Sequence, residues 1–202
     1  MPVIALLAIA LYAALAFGLR SWIQRRRTGS TGWRGLSGRP GSLPWFGGVL
    51  LVVGLAALAI APLLDLAGVV GRSGAIDGPT AHALGLLLYA AGLLGTLWSQ
   101  LAMGASWRIG VDEGERTALV THGPFRLVRN PIFTAMIATA AGIALLVPGV
   151  PALSGVACLV IGLELHVRLV EEPYLRRTHD RRYATWAART GRFVPGLGRL
   201  AD

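Results

Sequence analysis

Five apolar runs, parted by short polar or glycine-rich stretches, organise this chain. The first, Pro2 to Ile23, is long enough to cross about 30 Å of hydrocarbon as a helix. Trp45 to Val70 predicts a second span, with Pro62 as a kink point and Asp65 near its outer end. Thr80 to Met103 predicts a third, Pro131 to Val147 a short fourth, and Ala152 to Val170 a fifth. Pro131 in a first helical turn is a start signal. Pro148-Gly149-Val150-Pro151 reads as a tight outer turn, which would make the fourth and fifth spans antiparallel neighbours. Past Glu172-Pro173, Tyr174 to Arg189 predicts an amphipathic helix with Leu175, Tyr183 and Trp186 on its apolar face, lying on the membrane surface. Gly191 and Pro195 end it.

The polar stretches between these runs read as connections. Thr28 to Pro44 is a Gly-, Ser- and Arg-rich loop, and Gly71 to Pro79 is a short outer loop carrying Arg72 and Asp77. His82, at the outer end of the third run, is expected to be solvated. Gly104 to Asn130 mixes aromatic, acidic and basic residues, with a turn expected at Val111-Asp112-Glu113-Gly114. The expected fold is therefore an all-α, polytopic transmembrane bundle of about five spans. Residues 1–103 are a scaffold of three helices and 104–202 carry the chemistry, within one structural domain.

Composition agrees. Of 202 residues 54% are hydrophobic and 14% charged, against about 25% charged in soluble domains. Every one of the 19 Lys-plus-Arg positions is arginine, the net charge is +9 and the pI about 11.3. These arginines flank apolar runs instead of forming a separate basic stripe, which points to the lipid bilayer and anionic lipid and away from nucleic acid. With the N-terminus outside, Arg72 alone falls on the outer side and the other arginines lie at the cytoplasmic face. The expected place is the cell (inner) membrane, with the active site and a C-terminal amphipathic segment facing the cytoplasm. The first run lacks the basic leader of a signal peptide, although Ala14-Leu15-Ala16 resembles a cleavage site. The four histidines are scattered and the single cysteine, Cys158, sits inside an apolar run, so no metal-ligand cluster is expected. No protein partner is evident.

The densest polar signal is Thr121 to Phe133, THGPFRLVRNPIF, answered about forty residues later by Glu171-Glu172. A helical hairpin between them brings both to one membrane surface. Arg126 and Arg129 bracket the start of the fourth helix, whose N-terminus adds partial positive charge and suits an anion. Standing alone, the two would be rim arginines bound to lipid phosphate. Glu164, Arg168, Glu171 and Glu172 share one helical face by their offsets, with Glu164 about 10 Å deeper than Glu171. That cluster either lines a polar cavity open to the cytoplasm or contains a Glu164–Arg168 ion pair that only fixes packing. His166 lies off this face and reads as structural. Gln100, near the inner end of the third run beside Trp98, either lines a site or bonds to a neighbouring helix.

In combination these segments resemble a known family. Gly123-Pro124-Phe125-Arg126 followed by Arg129-Asn130-Pro131-Ile132-Phe133 resembles the pattern G-x-Y-R-x-x-R-H-P-x-Y. Arg168 with Glu171-Glu172 is similar to R-x-x-E-E at the end of the following helix. Asp180 to Pro195, with Tyr183, Trp186 and Arg192-Phe193-Val194-Pro195, resembles the closing G-x-x-Y-x-x-Y…P-R-x-x-P. These are the marks of the isoprenylcysteine carboxyl methyltransferase family and the related phospholipid methyltransferases. The resemblance covers roughly Ser106 to Pro195 and lies in the order and spacing of motifs that are weak singly.

The resemblance implies a membrane-embedded methyltransferase dependent on S-adenosylmethionine, with hairpin and C-terminal segment enclosing the cofactor. Carried over by position, Arg129, Asn130, Pro131 and Phe133 would shape the cofactor pocket. Glu171 and Glu172 would hold its amino group or ribose hydroxyls, and Tyr183 and Trp186 would cover it. Arg168 and Arg192 would orient the acceptor, with Glu164 beside them as a catalytic candidate. Asn130 stands where the family has His, and Phe133 where it has Tyr; His122, next to Gly123, is a candidate replacement. The acceptor, a small or lipidic carboxylate, thiol or amine, is left open. Two other readings remain: a membrane reductase using NADPH on a related scaffold, and a non-catalytic small transporter or assembly protein.

Overall fold

The structure, a computed structural model, describes residues 1–33, 35, 37–74, 76–108, 110 and 118–200; the turn expected at Val111 to Gly114 lies outside them. The described residues form helices and no strand. Helix α1 (Pro2–Tyr12) continues through π-helical Ala13–Leu19 into α2 (Arg20–Thr28). Then come α3 (Leu43–Leu66), α4 (Pro79–Met103), α5 (Pro131–Leu146) and α6 (Val150–His166). A second π segment, Val167–Glu171, leads into α7 (Glu172–Arg189). Four of the continuous helices are long and apolar enough to cross a membrane: Pro2–Thr28, Leu43–Leu66, Pro79–Ser106 and Val150–Arg189. Helix α5, also apolar, is shorter at 16 residues. The chain is an integral membrane helical bundle.

Helix starts follow local chemistry. Ser42 caps α3, its hydroxyl accepting from the Trp45 amide at 3.4 Å, and Pro44, Pro79 and Pro131 occupy first-turn positions where no amide hydrogen bond is lost. Gly29 ends α2 in the left-handed region at φ 77°. Helix α3 runs on through Pro62.

Packing departs from the expected hairpin. Although α5 and α6 are joined by a tight turn, the intimate pairs are α4 with α5 and α3 with α6. The reason is glycine. Gly47 and Gly54 face Gly162 and Gly155, so α3 and α6 run antiparallel with backbones almost touching. A Cβ at Gly54 would stand 2.8 Å from the Gly155 carbonyl oxygen, and one at Gly162 2.9 Å from that of Gly47. Gly85 and Gly92 of α4 likewise face Gly142 and Ala135 of α5, where a Cβ at Gly142 would lie 2.6 Å from the Gly85 oxygen. A seven-residue spacing is close to two helical turns, so each pair of small residues forms a flat strip.

The first rod threads beside α4 in parallel. Tyr89 donates to the Ala8 carbonyl (2.8 Å), Tyr12 bonds Thr96 (3.0 Å), Gln100 Nε2 donates to Ala16 (2.8 Å) and Gln24 to Ala105 (2.8 Å). Arg20 donates to the Gly104 carbonyl and stacks on Trp107. The N-terminus therefore lies at one end of the bundle, with residues 67–78 and the turn at 147–149. The termini of α2, α4 and α6 and the starts of α3 and α5 gather at the other. At the first end Arg72 makes a bidentate bond to Asp65 and lies 3.6 Å from Asp77, which meets His82 at 2.8 Å. His82 is thus paired. Every other described arginine belongs to the second end.

Candidate active site

At that second end, two stretches far apart in sequence are laced together. Gly123–Arg126 forms a 3-10 turn opened by Gly123 at φ 58°. Val128 then pairs with Gly191 as an isolated parallel bridge. The Arg129 amide donates to Gly191 O (2.8 Å), and both the amide and side-chain Nδ2 of Asn130 donate to Arg192 O (3.1 Å each). Thr134 donates to Phe193 O (2.8 Å), and the Trp186 indole N–H to Phe125 O (3.3 Å). The C-terminal segment is a strap held on the start of α5.

Beneath the strap lies a buried ion triad. The Arg129 guanidinium donates to Glu172 Oε1 at 2.7 Å and to the carbonyls of Ala187, Thr190 and Gly198. Arg192 donates to Glu172 through Nε (2.7 Å) and through its terminal nitrogen (3.0 Å). Both oxygens of the Glu172 carboxylate are thus committed to guanidinium donors, and the Glu172 hydrogen bond holds Arg192 above its ordinary range. Tyr183, 1% exposed, is sealed beside the triad with its ring edge-on to Trp186 at 5.8 Å.

Next to the triad is a cavity of about 290 Å³. Its polar end is lined by Arg108, Arg129, Asn130, His166, Glu171, Tyr174 and Trp186. Its other end runs between helices along Tyr12, Phe17, Leu51, Leu55, Met136 and Leu163. Val52 and Leu55, 53% and 40% exposed on the outer side of α3, mark where it approaches the lipid-facing surface. Both π segments border it: Phe17 belongs to the first and Glu171 to the second. Such segments are rare and concentrate at functional sites.

The structure sorts the sequence candidates. Arg129, Asn130, Pro131, Phe133, Glu171 and Trp186 line the cavity. Glu172, Tyr183 and Arg192 belong to the buried core of the strap. Glu164 and Arg168 pair with each other, 37% and 56% exposed, away from the cavity lining. His122 is exposed and, with Gly123, also lies outside the lining. The four charged residues from Glu164 to Glu172 do not share one face as the α-helical offsets predict. The π segment takes five residues into a backbone-bonded turn instead of four, sending Glu171 to His166 (3.4 Å) and Glu172 to the arginines. Arg126 is on the outer surface, in an open groove with Arg181, Arg182 and Arg189.

His166, which its offset reads as structural, lines the cavity with its ring edge-on to Phe133 at 6.2 Å. Gln100 does both things its position allowed, lining the cavity and bonding α1. Nothing in the sequence singles out Tyr12, Trp33, Arg108 or Tyr174 as site residues; they lie in different runs and connections, and their convergence becomes visible only once these are arranged in space. Among the described residues no cluster of metal-ligating side chains occurs.

Comparison with protein families matches residues 80–182, just over half of the chain, to the family described as phospholipid methyltransferase. No curated protein matches the chain.

Proposed function

Because the chain belongs to the phospholipid methyltransferase family, we propose that it transfers a methyl group from S-adenosylmethionine to a small or lipidic acceptor at the cytoplasmic membrane face. The observation that carries this reading is the two-ended cavity. Its polar end offers a carboxylate (Glu171), a guanidinium (Arg108), an amide (Asn130) and aromatic rings (Tyr174, Trp186) within one enclosure. That donor set fits a ligand carrying an ammonium, a carboxylate, a heteroaromatic base and a sulfonium at once. When bound, the cofactor supplies an electrophilic methyl carbon. The chain's own work is then to position two reactants in line and keep water out.

In this reading Glu171 holds the cofactor's amino group or a ribose hydroxyl, Asn130, Pro131 and Phe133 shape the pocket, and Trp186 closes it. Glu172, Arg129 and Arg192 act one step back, by fixing the strap. Arg168 and Glu164 stand at the rim. The apolar end, reaching Val52 and Leu55, admits an acceptor with a hydrocarbon tail from the side. Orientation is inferred from charge: among the described arginines Arg72 alone sits at the far end, and by the positive-inside rule the arginine-rich end would face the cytoplasm. Residues 1–103 and 104–202 serve as scaffold and methyl-transfer part, both contributing walls to the cavity.

Calorimetric titration of the purified chain in detergent with S-adenosylhomocysteine, beside NADPH, tests the proposal. Saturable binding of the first alone is expected. Binding of NADPH alone would turn the protein into a reductase, and binding of neither by folded protein would leave a transporter or scaffold.

A further inference from the structure

We propose that His166 is the proton acceptor of the transfer, and that the methyl acceptor accordingly bears a proton on its nucleophilic atom, as an amine, hydroxyl or thiol does. This rests on the methyltransferase reading and sharpens its substrate class. His166 ends α6 at the cavity wall, 8% exposed, between the ring of Phe133 and the carboxylate of Glu171.

The two partners are five residues apart. On an α-helix that spacing turns them about 140° away from each other. The π segment Val167–Glu171, whose backbone bonds reach five residues instead of four, stacks them on one face. No other polar pair on this stretch needs the wider turn. Glu164 meets Arg168 at the ordinary spacing of four, and Glu172 is committed to Arg129 and Arg192. Of the three glutamates, Glu171 is the one turned to the cavity. The irregular helix thus assembles a histidine–carboxylate pair inside the one enclosure that the family's chemistry would use.

A carboxylate at one ring nitrogen fixes the tautomer and steadies the imidazolium that forms when the other nitrogen takes a proton. With the Nε2 proton turned to Glu171, Nδ1 is the accepting atom. The charged and titratable groups sharing the enclosure are Glu171, Arg108 from the segment after α4, Arg129 before α5, Tyr174 from α7 and Tyr12 from α1. Arg129 is held by Glu172, which leaves Glu171 as the counter-charge beside the ring. In the step, the acceptor's nitrogen, oxygen or sulfur bonds to the methyl carbon. The electron pair of the broken carbon–sulfur bond stays on sulfur, and the acceptor's proton passes to Nδ1. A carboxylate acceptor would present no proton to remove.

The test uses the full chain in phosphatidylcholine vesicles with methyl-labelled S-adenosylmethionine and four probes: phosphatidylethanolamine, a long-chain alkylphenol, dodecanethiol and palmitate. Label is expected in one or more of the first three. His166→Gln is expected to lower kcat by roughly 100-fold, to leave S-adenosylhomocysteine affinity unchanged, and to abolish the acid limb of the kcat–pH profile. Labelling of palmitate alone, or a His166→Gln rate within about threefold of wild type, overturns the proposal. Loss of all turnover in Glu171→Gln with little change in His166→Gln would overturn it too, by making Glu171 the base. A second readout needs no acceptor. Nitrogen-15 spectra of histidine-labelled protein with S-adenosylhomocysteine bound, assigned by the signal missing in His166→Gln, should show one bare ring nitrogen at neutral pH and an altered titration in Glu171→Gln. A ring protonated on both nitrogens throughout the neutral range overturns the assignment. Failure of the wild type to bind S-adenosylhomocysteine at all defeats the methyltransferase reading itself and is a separate result.

Discussion

Arg129 and Glu172 meet at 2.7 Å where their side chains are only 2% and 9% exposed. Two neighbouring glutamates therefore have different work. Glu172→Gln leaves Arg129 and Arg192 without their counter-charge in a buried place, and is expected to cost about 3 kcal/mol of stability. Glu171→Gln should leave the unfolding temperature near wild type and weaken S-adenosylhomocysteine binding. Paired thermal unfolding and calorimetry on the two variants separates the roles; equal loss of stability in both would refute the division.

Helix contact in this bundle depends on missing side chains. Gly142→Val places a branched side chain where even a Cβ would stand 2.6 Å from both Gly85 O and the Tyr89 amide. A loss of about 3 kcal/mol is expected, read by thermal unfolding in detergent. Gly71→Ala, in open space, is the control and should stay within about 0.5 kcal/mol.

Asp180 sits inside α7 at φ 41°, ψ −121°, the one non-glycine residue with positive φ among those described. It occupies the place where the family pattern carries Gly. Asp180→Gly relieves a backbone strain of about 1 kcal/mol or more and should raise the unfolding temperature. A fall would mean that the Asp180 side chain contributes more than its backbone costs.

Orientation is open to direct labelling. With Cys158 replaced by Ala, Ser73→Cys should react with a membrane-impermeant maleimide added to intact cells, and Arg39→Cys only after permeabilisation. Both positions are exposed, at opposite ends of the bundle. The reverse pattern would put the cavity's polar end outside.

Much of this architecture was legible because apolar runs report an average over many residues. All five apolar runs appear as helices, with α3, α4 and α5 beginning within two residues of the expected starts. What escaped depends on single residues or on partners. The π segment at Val167–Glu171 fits an extra residue into a turn, which nothing in HVRLVE announces, and it brings Glu171 to His166 and Glu172 to Arg129. Partner choice escaped because a short turn argues for α5 beside α6, while the spacing of Gly85, Gly92 and Gly142 argues for α4 beside α5 only if the strips are set face to face. The motif residues near Arg129 came together as expected, since the hairpin fixes where its ends meet. Tyr12 escaped because α1 reads as scaffold.

The glycine strips divide the bundle into two stiff slabs, α3 with α6 and α4 with α5, each with its backbones locked at near-contact distance. The cavity occupies the joint between the slabs, with Leu51 and Leu163 on one side and Gln100, Phe133 and Met136 on the other. Substitutions along that joint can reshape the space without touching either locked face. Substitutions on the locked faces cannot be absorbed in the same way. The fold thereby separates positions free to drift towards new acceptors from positions that keep the bundle assembled.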